Sequence, residues 1–451
     1  MYLTGAMNRT IFFEIPIQKV FYFLVVSLSI FELIDGYFAF HFNLSLIGSI
    51  YKSSFLILAM LLFIIHRWDF KMGLFIFCGY LSILLLGFFR LLRSDVNIEA
   101  IVFDFQYTAR SFLILISVFI LAISLERDKL NNLFSKFVLI QWIVITIAIV
   151  VHVILGFGGV YMRSGEYIRV GYTSFFTSGN TVAILYAVSW FAIMFMVKNN
   201  LVRILITLIT LFTVGAFGSK LGILLVFLMP ILKLFSKLLQ KSKLLFLLML
   251  VFSLFSFFLI IINFEKIIIW GLDYYSLLSS DSNKIALRAA EYGLLSVLWA
   301  RRDYLISLAI DNITKYNVKD LITGVNFFNY KRFLGSDIGR EFRMTEVDPI
   351  DLVGATGILG FIVAYGLFII IFLMLLKNKQ YIKKQLGKSC NSINYVLLYS
   401  GILLMLFVSS LSSGHVFLEP YSNILLGLVY GLIYKLSKNS ERRTEGCLLK
   451  S

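Results

Sequence analysis

The chain is poor in the residues that usually carry metal or redox chemistry, with only three cysteines and four histidines. Cys78 falls in an apolar run, and Cys390 and Cys447 fall in basic segments. None is placed to close an external loop, so neither a disulfide framework nor a cysteine metal site is expected. The histidines, at 41, 66, 152 and 415, show no His-Glu-x-x-His or other ligand spacing, which argues against a protein-built metal site and against any cofactor. Charge is also scarce. Charged residues make up 15 % of the chain against 59 % hydrophobic, with a mean hydropathy of +0.89, a composition that cannot cover itself with polar surface in water. The first apolar run lacks a short core and small-residue cleavage pattern, so it reads as a full span and not as a cleavable signal. The helix pattern does not divide into matching halves, as many transporters do.

What is present is a series of apolar runs of membrane-crossing length. They fall near 20–40, 46–66, 72–92, 110–126, 134–156, 175–197, 201–217, 219–237, 244–263, 349–376, 394–412 and 414–435. The expected fold is an all-α polytopic membrane protein of about twelve transmembrane helices. Its expected parts are nine spans within 1–263, one long polar loop at 264–348, three spans within 349–436, and a tail at 437–451. The net charge of +16 does not indicate nucleic acid, because the long loop holds eleven basic and eleven acidic residues. The excess collects in alternate segments such as Lys233 to Lys243, Lys377 to Lys388 and the tail. The positive-inside rule then places both termini in the cytoplasm and the long loop outside.

A single long folded loop is where chemistry on a large polar substrate is expected. Within it, 284–299 and 301–313 carry apolar residues at helical spacing, as surface-lying amphipathic helices do. Arginines recur on the expected outer side: Arg163 and Arg169 in the 157–174 loop, then Arg288, Arg301, Arg302, Arg332, Arg340 and Arg343. Guanidinium groups suit bidentate contact with phosphate. Lys220 stands between two spans, where it either snorkels or binds phosphate. Asn180 follows Arg169 and two glycines at a helix start, where free N–H groups gather. Carboxylates cluster at the membrane re-entry, in EVDPID. Asp348 stands at an N-cap position before Pro349, so capping competes with catalysis there. Asp351 lies one turn further into an apolar helix, where an ionisable group is costly unless used or paired. Asp303 is a further acid, and His415, in an external turn, is a candidate base or polar contact. Glu32 and Asp35 read as interfacial.

Four stretches, taken in order, carry a family resemblance: RVGYTSFFTSGN at 169–180, GSKLGIL at 218–224, LWARRDYLISLAIDN…LITGVNF at 298–327, and EVDPIDLVGATGILGF at 346–361. The chain resembles the O-antigen ligase and polysaccharide repeat-unit polymerase (Wzy-type) superfamily. The resemblance implies a glycosyltransferase bundle of the kind that acts on lipid-linked sugars (GT-C-like). It implies joining of undecaprenyl-diphosphate-linked units for O-antigen, capsule or exopolysaccharide on the outer face of the bacterial plasma (inner) membrane. Its implied company is the glycan substrate, membrane lipids, a chain-length regulator and a flippase. Arg169 and Arg301 or Arg302 match the basic residues that hold the diphosphate, leaving Asp348 or Asp351 to take the acceptor proton. Ligases of the superfamily carry a histidine in the re-entry segment where this chain has Asp348 or Asp351, which favours a polymerase over a ligase. A flippase or other transporter is the alternative from another class.

Overall fold

The structure is a computed structural model, which describes residues 16–42, 46–65, 98–108, 112–163, 167–176, 179–217, 222, 225–226, 302–336, 344–377, 395–412 and 415–448. The expected spans at 72–92, 219–237 and 244–263, and the amphipathic helix at 284–299, lie outside them.

The N-terminal run is one apolar segment broken in two. Helices α1 (Pro16–Val26) and α2 (Leu28–Phe42) meet at 61° around Ser27. A break frees backbone groups that lipid cannot satisfy. Gln141 supplies the missing partners: its Nε2 donates to the Val26 carbonyl at 3.1 Å, and its Oε1 accepts the Ser29 amide at 3.0 Å. The bent pair leads into α3 (Leu46–Ile65). Asp35 is buried and its Oδ1 accepts the Gly48 amide at 2.7 Å, so it caps the next helix.

Helix α4 (Ile98–Thr108) is short and precedes α5 (Ile114–Ser124), whose residues 114 to 123 are all buried. Helix α6 (Arg127–Leu155) ends at Gly156, with φ of 71°. A hairpin follows, β1 (Gly159–Arg163) antiparallel to β2 (Tyr167–Ser174), with Met162 opposite Ile168 and Arg163 opposite Tyr167. This hairpin departs from the all-α expectation. In the sequence, aromatic and β-branched residues stand on both sides of Ser-Gly-Glu, a pattern that favours two paired strands. Helices α7 (Gly179–Met196) and α8 (Asn200–Phe217) come next. Helix α7 is central, with 83 % of its apolar window buried, whereas α8 is 22 % buried and turns Leu201, Leu205, Leu208 and Phe212 outward.

After the long polar segment come α9 (Arg302–Thr314), α10 (Val318–Thr323) and α11 (Phe327–Ser336). The chain then re-enters the apolar layer in α12 (Asp348–Lys377), followed by α13 (Tyr395–Ser412) and α14 (Pro420–Leu448). Helix α14 packs along α5, and its helix continues to Leu448, past the expected end of the last span at 436. No glycine or proline interrupts Lys435 to Glu445, so nothing stops the helix there.

Among the described residues, four helices are long and apolar enough to cross a membrane, α6, α7, α8 and α12, and the bent α1–α2 pair makes a fifth. This is a mostly helical membrane protein. Polar side chains join its spans: Trp142 Nε1 donates to Thr210 at 2.9 Å, Thr146 and Tyr186 share a bond of 2.7 Å, and Tyr365 donates to Ser410 at 3.0 Å.

One end of this bundle gathers the polar segments. The Ser174 amide donates to His152 Nδ1 at 2.8 Å, which ties the hairpin to the end of α6. Gly36 lies against the Phe175 carbonyl, and Lys52 of α3 stands 4.9 Å from the ring of Tyr421 at the start of α14. The hairpin and the re-entry segment therefore share that end.

Candidate active site

Helix α12 is itself broken, and the break builds the site. Gly357 has φ of 69°, a conformation that costs a side-chain-bearing residue but not glycine. The turn frees two carbonyls, and the polar segment answers them: Val325 N donates to Gly354 O at 3.2 Å, and Asn326 N to Ala355 O at 2.9 Å. Gly324, with φ of 75°, allows the close approach, since a Cβ there would meet the Ala355 oxygen at 2.1 Å. The stretch Ile322 to Asn326 is thus clamped onto the break.

That clamp starts α11. Asn326 Oδ1 accepts the Asn329 amide at 2.9 Å, and Asp104 of α4 reaches across to accept the Phe327 amide at 2.7 Å. Burial pushes the Asp104 carboxyl up to about 6, against the pull of the Phe327 and Phe328 amides. Helix α11 then delivers two residues. Tyr330 lies over Gly354, where a Cβ would meet its ring at 2.1 Å, and Lys331 donates to the Tyr107 hydroxyl at 2.6 Å.

Asp351 is fully buried and its oxygens are used. Oδ1 accepts Tyr330 Oη at 2.8 Å, Thr345 Oγ1 at 2.8 Å and Thr345 N at 3.0 Å, and Oδ2 accepts Glu346 N at 3.0 Å. Burial, and then the charge of Asp351, hold the Tyr330 phenol well above its usual range, so it stays a donor. These bonds pin the 344–347 turn, where Glu346 adopts φ of 64°. Such a conformation in a non-glycine residue costs on the order of 1–3 kcal/mol and persists only where its surroundings fix it. Glu346 in turn pairs with Arg302 at the start of α9.

Asp348 is also fully buried, and Oδ2 accepts the amides of Val416 and Phe417 at 2.6 and 2.9 Å. It ties α12 to the turn before α14 and does not cap its own helix. Among the described residues its Oδ1 has no hydrogen-bond partner; it faces Nδ1 of His415 at 3.6 Å, itself without one there. The same nitrogen is 3.9 Å from Asp351 Oδ2. Burial alone would keep the imidazole neutral, but Asp348, Asp351 and Glu346 outweigh it and raise His415 to about 9. The ring is therefore charged at neutral pH.

A cleft of about 180 Å³ opens beside this cluster, lined by Tyr107, Lys331, Met344, Glu346, His415, Leu418 and Glu419. Of the residues singled out from sequence, His415 reaches the cleft, Asp348 and Asp351 lie behind it, and Arg302 is buried in its pair with Glu346. That pairing differs from a guanidinium presented at headgroup depth on a surface helix. Asn180 stands in the first turn of α7, and the backbones of Arg163 and Arg169 are in the two strands. Arg288, Arg301, Lys220, Arg340 and Arg343 lie outside the described residues, and Arg332 is exposed on α11. Tyr330, Thr345, Lys331, Tyr107 and Glu419 were missed by sequence reasoning. Thr345 and Glu346 adjoin the re-entry carboxylates and were within reach of it. Lys331 and Tyr107 are 224 residues apart, and nothing local signals their meeting.

No family model matches the sequence, and no curated protein matches it.

Proposed function

We propose that this chain is a membrane glycosyltransferase that polymerises lipid-linked oligosaccharide repeat units, on the outer face of a bacterial plasma membrane and in a bundle of the lipid-linked-sugar type. The reading rests on the four ordered stretches of sequence resemblance. The observation that carries it to a site is His415 at a cleft, within 4 Å of Asp348 and Asp351, where the polar segment meets the bundle.

Glycosyl transfer from a diphosphate brings its own leaving group. The protein must hold an acceptor hydroxyl, remove its proton and offset the charge that develops. Among the described residues two carboxylates line the cleft, Glu346 in its pair with Arg302 and Glu419 at the start of α14, and the acceptor proton is assigned to Glu419. His415 provides a fixed positive charge beside the hydroxyl, which lowers the cost of deprotonating it. Asp348 and Asp351 act through His415 and the 344–347 turn, as positioning residues. The donor diphosphate is assigned to the basic residues of the resemblance, Arg169 first.

His415 also favours a second reading. Ligases of the resembled superfamily carry a histidine in the re-entry segment, and here His415 stands within 4 Å of both re-entry carboxylates although it comes from another turn. The lipid-linked glycans of a strain deleted for this chain separate the two: single repeat units mean a polymerase, and long unattached chains mean a ligase.

A further inference from the structure

The hairpin that carries Arg169 is fixed at its foot by one imidazole. His152 stands in the last turn of α6, buried, and its Nδ1 accepts the Ser174 amide at 2.8 Å. An amide N–H can only donate, so Nδ1 holds a lone pair and the ring proton sits on Nε2. The contact is closely built from both strands' ends. Gly158 has φ of 134°, and a Cβ there would meet the Ser174 Cα at 2.6 Å and Nδ1 of His152 at 2.9 Å. Ser174 itself adopts φ of 52°, which a side-chain-bearing residue keeps only where its surroundings fix it. Tyr172 stands nearly perpendicular to the imidazole, with ring centres 5.1 Å apart.

We propose that neutral His152 is a positioning residue: its Nδ1 pins the foot of the hairpin and so sets Arg169 for the donor diphosphate, and protonation of the ring releases that foot. The proposal rests on the glycosyl-transfer reading, which assigns the diphosphate to Arg169 first. An imidazolium donates from both nitrogens and accepts at neither, so a protonated His152 would set one donor against another. Histidine changes charge close to neutral pH, so mild acid removes the pin. The ionisable groups beside the foot are Tyr172 on β2, and Asp35 and His41 on α2, which meets Phe175. Arg163, Glu166 and Arg169 belong to the hairpin further from Ser174, and the adjoining turns of α6, α7 and α8 add no ionisable residue. Charges near the ring move the pH at which it titrates and leave the consequence of titration unchanged.

The test reads the imidazole and the task of the hairpin separately, in full-length protein in nanodiscs. Isotopically labelled histidine is followed by nitrogen NMR, and the signals absent from His152→Asn are those of His152. At about pH 8 its Nδ1 should be unprotonated and its Nε2 protonated; a proton on Nδ1 overturns the proposal. KM for the lipid-linked repeat unit is measured beside it. In the parent, KM should rise about tenfold for each pH unit below the midpoint at which Nδ1 gains its proton, because only the pinned fraction binds. Asparagine offers a carbonyl oxygen close to where Nδ1 stands and does not titrate, so His152→Asn should rescue binding and show no rise over that interval. His152→Leu should have the raised KM already at about pH 8. A rise in His152→Asn that matches the parent's, or a parent-like KM in His152→Leu, removes the positioning role. If His152→Asn does not fold, protein whose His41, His66 and His415 are glutamine assigns the same signals, and the parent's KM must still follow their midpoint. No polymer at any pH, with the proton found on Nε2, removes the polymerase reading and the task of Arg169 with it, while the pin stands. Polymer whose KM ignores His152 removes the positioning role alone.

Discussion

Nδ1 of His415 stands 3.6 Å from Oδ1 of Asp348, and neither atom has a hydrogen-bond partner among the described residues. The separation is too long for a hydrogen bond and short enough for a strong charge interaction in a buried place. The pair holds the histidine at the cleft that it lines.

Asp348→Asn keeps the shape and one carbonyl oxygen for the Val416 and Phe417 amides, so the fold should survive while the charge facing His415 is lost. Turnover in a polymer assay should fall by about 10²- to 10³-fold, the usual cost of removing a preorganised electrostatic group. Asp348→Ser should be worse. A capping role would make serine nearly silent, but serine is too short to reach amides 68 and 69 residues along the chain. Protein that folds and turns over normally as Asp348→Ser would remove Asp348 from the site.

The pH profile should carry the mark of His415. Its folded pKa of about 9 lies above the ordinary 6.5, so the protonated ring stabilises the fold in full below pH 6.5. That contribution fades as the pH rises from 6.5 towards 9, and activity should fall above about 9 as the positive charge is lost. Thermal unfolding of the parent and of His415→Gln across this range checks it: the parent should lose stability relative to the variant. Parallel curves would contradict the pairing.

Much of the architecture was legible because apolar length is a local property. The segments at 134–156, 175–197, 201–217 and 349–376 all became helices long and apolar enough to cross a membrane. The site was legible in part. EVDPID stood out because charge beside or within an apolar helix is costly, and His415 as an ionisable side chain in an external turn. Their grouping was not legible, since Asp348 meets residue 416 and Asp104 meets residue 327 through contacts that no local pattern encodes. The Gly357 break was hidden for the same reason. A glycine in an apolar helix is ordinary, and only the approach of Gly324 explains why this one turns.

That approach makes a sharp contrast between glycines of one helix. Gly357→Ala places a Cβ 2.3 Å from the Ile322 oxygen and 2.4 Å from the Gly324 nitrogen, at positive φ, with backbone on both sides that cannot yield. Folded yield and melting temperature should drop sharply, beyond the roughly 1 kcal/mol of an average substitution. Gly366→Ala, whose nearest neighbour is a methyl at 4.0 Å, should be close to neutral. Equal behaviour of the two would mean that the clamp is not formed.

Asp104 should act at a distance through α11. Asp104→Ala removes the acceptor for the Phe327 amide and should cost about 1–2 kcal/mol, as loss of a helix cap does, while disturbing both Tyr330 and Lys331. Asp104→Asn keeps an acceptor oxygen and should retain most stability. Melting curves of the pair measure the difference, and an equal loss in both would deny the capping role.

The central claim is that the cleft beside His415 performs glycosyl transfer, and the most direct measurement uses purified protein with purified lipid-linked repeat units, followed by separation of the products by length. The parent chain should build a ladder of polymer. Glu419→Gln, folded to the same extent, should build it about 10²- to 10⁴-fold more slowly, as loss of a general base does. No ladder from the parent, or an undiminished rate from Glu419→Gln, would contradict the account.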